Sequence, residues 1–120
     1  MGMYTEYALK FSISKDNRSV IDVLEYMINV DAAIPATLPH HPLFRASRWD
    51  IMAKSGRSFI DERDYLDTID VMLIGEFKNY CGEIRLFLDW IKPHLEGYLI
   101  GHSHYEEDLE TVPYFIENEL

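Results

Sequence analysis

The stretch Ile69–Leu95, IDVMLIGEFKNYCGEIRLFLDWIKPHL, decides the fold class. In its first half Ile69, Val71, Leu73 and Phe77 are apolar, while Asp70, Glu76 and Lys78 fall between them. A period of two is the pattern of a strand with one buried face. Gly75 interrupts the pattern and is expected to mark a bulge. Beyond Asn79, an available helix cap, the spacing changes, and Ile84, Phe87, Leu88, Ile91 and Leu95 recur at three or four residues. That spacing puts one apolar stripe on a helix, which Pro93 ends or kinks because proline brings no amide proton. Trp90 falls beside the stripe and is expected to widen the buried face.

The same pair of patterns opens the chain. Tyr7, Leu9, Phe11 and Ile13 alternate with Glu6, Lys10 and Ser12 over Tyr4–Ile13, which predicts a strand. Asp16-Asn17-Arg18-Ser19 then offers turn and cap chemistry, and Val20, Val23, Leu24, Met27 and Ile28 follow at helical spacing. A segment holding Pro35, Pro39 and Pro42, with His40 and His41 inside it, is too rich in proline for a helix or a central strand and predicts an ordered loop. Phe44–Ala53 is expected to be a further strand, with Ser58-Phe59-Ile60 its short partner across the turn at Ser55-Gly56-Arg57. Asp61–Asp67 is a charged connection in which Tyr65 is expected to anchor the loop to the core. Two short strands, Tyr98–Tyr105 and Val112–Ile116, close the chain around an acidic turn at Glu106–Glu110.

This order predicts a single α+β domain over residues 1–120, with two helices on one face of a mainly antiparallel sheet. The expected architecture is a ferredoxin-like sandwich with an extra hairpin. The runs GEIRLFLDWIKPHL, GYLIGHSHYEED and VPYFIEN resemble small bacterial proteins of an uncharacterised α+β family, chiefly over the C-terminal half. The resemblance implies the fold class and carries no activity, cofactor or site residue.

At 120 residues and 48% apolar composition the chain has enough material for one packed core. Its one cysteine, Cys81, excludes an internal disulfide and any zinc site built on several cysteines. A reducing, cytoplasmic setting is expected, with no secretion signal and no membrane span. The formal charge is −10, from 11 basic and 21 acidic residues. No lysine or arginine follows Lys92, whereas Glu96, Glu106, Glu107, Asp108, Glu110, Glu117 and Glu119 do, so the first 92 residues carry only −3. A field of that sign repels phosphate backbones and attracts cationic surfaces, so nucleic acid is not expected as a partner and a basic protein is. The candidate contact residues are the acidic Glu106, Glu107, Asp108 and Glu110 with Tyr105 and Tyr98 as aromatic anchors; Tyr114 and Trp90 are further candidates.

Other constellations point elsewhere. His102 and His104 stand two apart in a strand, hence on one face, and could present two imidazoles to a metal if a third ligand joined them. They would serve an enzyme-like pocket between the proline segment and the sheet. Arg45, Arg48, Lys54 and Arg57 concentrate positive charge that an anion would use, although on a strand Arg45 and Arg48 face opposite sides. Cys81 precedes a helix, which favours a thiolate, but a lone cysteine more often packs as a small buried hydrophobe. No GxGxxG, Walker or GxSxG pattern occurs, so no catalytic residue and no cofactor is assigned. An exposed sheet edge pairing with its own copy would make the protein a homodimer.

Overall fold

The computed structural model describes residues 4–29, 31–46, 48–79, 81–107 and 110–117. Its elements run β1 (Thr5–Ser14), α1 (Arg18–Ile28), a 3₁₀ turn (Pro42–Arg45), β2 (Phe59–Glu62), β3 (Thr68–Phe77), α2 (Glu83–Ile91), a second 3₁₀ turn (Lys92–His94), β4 (Tyr98–Tyr105) and β5 (Val112–Glu117). The strands form one five-stranded sheet in the order β2-β3-β1-β4-β5, and every neighbouring pair is antiparallel. The protein is therefore an α+β chain built on an antiparallel sheet with two helices.

Alternation in β1 assigns the two faces. Thr5, Tyr7, Leu9, Phe11 and Ile13 are buried, and opposite them in register stand Ile69, Val71, Leu73, Gly75 and Phe77 of β3. Both helices cover this face: Val20, Ile21, Val23, Leu24 and Met27 of α1, and Ile84, Phe87, Leu88, Trp90 and Ile91 of α2, belong to the same core. Each such large apolar side chain contributes roughly 1.5–3 kcal/mol by leaving water. Trp90 widens the buried stripe as expected, packing edge-on against Phe87 and Phe44. Asn17 takes the cap position of α1, but its side chain pairs with His94 instead of a helix amide. Asn79 Oδ1 accepts from the Ile84 amide at the start of α2.

Four expectations are corrected. Phe44–Ala53 is no strand among its described residues: its start closes the first 3₁₀ turn, and residues 48–53 are a string of turns. Trp49, Met52 and Ala53 are buried, a spacing of three and then one, so the chain coils to put them down on the core where an alternating strand would point half of them away. Gly75 makes no bulge, because the β1–β3 register runs through it unbroken. It lies where the Met52 backbone crosses the sheet, and a Cβ there would collide with the Met52 carbonyl oxygen and the Tyr7 ring. Tyr65 is 77% exposed and anchors nothing in the core; its hydroxyl accepts from Arg63. Cys81 is exposed, since it sits outside the first turn of α2, whose buried face begins at Glu83.

Candidate functional site

Among the described residues, no element covers the face of the sheet away from the helices. Its residues follow from the register: Glu6, Ala8, Lys10 and Ser12 of β1, flanked by Glu76, Ile74, Met72 and Asp70 of β3 and, along Glu6–Lys10, by His104, His102 and Ile100 of β4. The edge strands add Phe59 and Asp61 from β2, and Pro113, Phe115 and Glu117 from β5. Three rows result. One end is acidic, the middle is apolar around a single lysine, and Ser12 bonds Asp70 at 2.7 Å toward the other end.

At the acidic end Glu6 stands directly between Glu76 and His104. The Glu106 amide donates to the Tyr4 carbonyl at 2.9 Å and the Tyr4 amide donates to Glu106 Oε2 at 3.1 Å, so the start of the β4–β5 turn is tied to the start of β1. Tyr4, Glu6, Glu76, His104 and Glu106 together line a cleft of about 260 Å³. Glu107 and Glu110 extend from the same turn and are exposed, while Asp108 lies outside the described residues. Adjacent like charges across strands oppose folding, and among the described residues none of these carboxylates joins an ion pair. Lys78 is nearby, its ammonium 5.7 Å from the Tyr4 ring centre. Glu6 and Glu76 were not singled out in the sequence, where each is merely the polar partner in an alternating strand. Only the pairing of β1 with β3 makes them neighbours.

The two tyrosine anchors separate. Tyr105 is at the acidic end, opposite Thr5 on the helix-covered side of the sheet. Tyr98 is at the other end of β4 on the open side, where it stacks on Phe115 with ring centres 5.5 Å apart. Tyr114 turns inward, its hydroxyl 2.7 Å from Ser103 Oγ and its ring beneath the Arg85 guanidinium at 5.1 Å.

His102 and His104 share the open face. His104 Nδ1 lies 3.2 Å from Thr111 Oγ1, and His102 stands between Ala8 and Pro113. Among the described residues no group of three or more His, Cys, Asp or Glu is arranged to hold a metal ion. The proline segment does not meet these histidines. It packs on α2 instead, where Phe44 meets Trp90 and His41 Nε2 reaches Asp89 at 2.8 Å, on the opposite side of the sheet. His41 Nδ1 accepts from the Leu43 amide, so Nε2 carries the N–H that donates to Asp89 Oδ2.

The basic residues also scatter. Arg45 and Arg57 are exposed, Lys54 lies over the Tyr26 ring at 4.9 Å, and the Arg48 amide donates to Glu83 at 3.1 Å. Glu83 is the one fully buried carboxylate among the described residues: Oε2 accepts from Arg48 N and Oε1 from Cys81 N at 3.0 Å. It clamps the turns after the proline segment to the start of α2. No sequence signal distinguished it from an ordinary first-turn glutamate.

No family model, curated protein or solved structure matches the chain. No helix among the described residues is long and apolar enough to cross a membrane.

Proposed function

We propose that this is a protein-binding domain that takes a basic partner at its acidic end, in the manner of an inhibitor or immunity protein. One observation carries the reading: carboxylates from three separate segments, Glu6 on β1, Glu76 on β3 and Glu106 after β4, converge on one cleft without a cation paired to any of them among the described residues. Glu107 and Glu110 enlarge the same negative field, with Tyr105 beside it. Such a field speeds encounter with a cationic surface and repels nucleic acid. The order of the first four strands, with β1 between β3 and β4, supports reading the fold as a ferredoxin-like sandwich to which β5 is added. The single exposed thiol supports a cytoplasmic setting.

The test is retention of a partner on immobilised chain, elution in a salt gradient, and association rates for wild type and the Glu106→Lys, Glu107→Lys double variant. A basic partner whose association slows about tenfold or more at low salt in the variant supports the reading. An unchanged rate at low salt overturns it.

A further inference from the structure

We propose that the open face of the sheet is the contact between two copies of this chain, stacked sheet on sheet. Around Lys10, apolar residues reach from one edge strand of the face to the other. Phe59 on edge strand β2, Ile100 on β4, and Phe115 on edge strand β5 are 51%, 48% and 64% exposed, and Ala8, Met72 and Ile74 fill the middle. Lone exposed apolar side chains need no explanation, but a contiguous band does. Five strands at ~4.8 Å spacing make this band roughly 20 Å wide. A docked helix, ~10 Å across, would leave one edge bare, whereas a second five-stranded sheet covers both edges at once. The plan area of the sheet is roughly 600 Å², and standing side chains raise the accessible area toward the ~800 Å² per partner of a stable interface.

The charges on the face suit a second copy better than another partner. Lys10 lies between Met72 and Ile100 and is the one lysine or arginine that the strands place on this face among the described residues. It pairs with no carboxylate there, and a basic partner would be repelled by it. Glu6 stands on the same strand, two residues before Ala8 as Lys10 is two residues after it. Within one chain the two are ~13 Å apart, too far to pair. A two-fold axis crossing the strands at Ala8 would set each Glu6 over the second copy's Lys10, twice over, as a self-complementary interface requires. The small Ala8 side chain at the axis would let the sheets approach to the usual ~10 Å.

Sedimentation equilibrium and light scattering over a concentration series test this. Wild type is expected to reach the mass of a dimer, and added salt is expected to strengthen association because each chain carries −10. Salt weakens capture of a basic partner, which in the dimer falls to Glu106, Glu107 and Glu110 on the β4–β5 turn, so the two contacts respond oppositely. Lys10→Glu is expected to weaken the dimer and Glu6→Lys with Lys10→Glu to restore it; Ile100→Asp and Phe115→Asp are expected to give folded monomers, checked by circular dichroism. Glu106→Lys with Glu107→Lys is expected to leave the mass unchanged. A wild-type chain that stays monomeric at its solubility limit overturns the proposal, whether or not a foreign protein then covers Ile100. A dimer indifferent to Ile100→Asp and Phe115→Asp overturns it equally, and places the contact at a sheet edge.

Discussion

Tyr7 and Met52, 45 residues apart, are joined by a buried hydrogen bond in which the Tyr7 hydroxyl donates to the Met52 carbonyl at 2.8 Å. The bond pins the irregular segment after the proline loop to the central strand, at the point where Gly75 leaves room for the crossing backbone. Tyr7→Phe removes the donor and leaves a buried carbonyl without its partner, which should cost about 1–3 kcal/mol in urea unfolding.

The burial of the same hydroxyl sets an alkaline limit. Burial pushes the Tyr7 phenol far above its ordinary value of 10.0. Above that value the unfolded chain loses the Tyr7 proton and the folded chain keeps it, so stability falls as pH rises past about 10. In Tyr7→Phe this slope should be shallower, measured as the urea midpoint between neutral pH and the alkaline range. Equal slopes for the two proteins would show that other groups govern alkaline unfolding.

Gly75→Ala tests the close approach directly. The added Cβ would meet the Met52 carbonyl oxygen, a backbone atom that yields only if the whole segment lifts. A loss of about 1–3 kcal/mol is expected. Combined with Tyr7→Phe the losses should not add, because both act on one contact, and a double-variant cycle in urea measures the coupling.

Glu83 is expected to resist even its closest replacement. Both oxygens accept from backbone amides, Arg48 N and Cys81 N, and the side chain is fully buried. Glu83→Gln substitutes an NH₂ for one acceptor and turns it toward a backbone N–H, leaving two donors face to face. A cost of about 1–3 kcal/mol follows, with Glu83→Ala at least as damaging. Urea unfolding gives the magnitude, and faster limited proteolysis between Ala46 and Ser58 would locate the loosening.

What the sequence revealed and what it hid divide along one physical line. β4 was legible to its bounds, Tyr98–Tyr105, and the two helices to within a few residues, because alternation and helical spacing are local signals. Phe44–Ala53 misled because its apolar residues are held by ring contacts with distant elements, Trp49 with Tyr26 and Phe44 with Trp90, and no local period records that. The acidic turn at Glu106 stood out as a charge run, whereas Glu6 and Glu76 join it only through the pairing of β1 with β3. The order of strands in the sheet is likewise set by contacts between segments far apart in the chain.

His94 closes the second 3₁₀ turn against Trp90, their rings 6.0 Å apart, and its Nδ1 receives the Asn17 side-chain amide at 3.1 Å. Desolvation lowers its pKa below the ordinary 6.5, and the Asn17 contact reinforces this, because a protonated Nδ1 has no lone pair to accept with. Between the lowered value and 6.5 the unfolded chain binds the proton and the folded chain does not, so stability falls as pH drops through that window and levels off below it. His94→Gln should flatten the fall, read as thermal midpoints between pH 7.5 and 5. Trp90 emission should change only at pH values below 6.5, where the His94 imidazolium forms beside the indole, and the change should vanish in His94→Gln. An emission midpoint above 6.5 would mean that His94 is held in its charged form, with the Asn17 carbonyl oxygen, not the amide nitrogen, facing the ring.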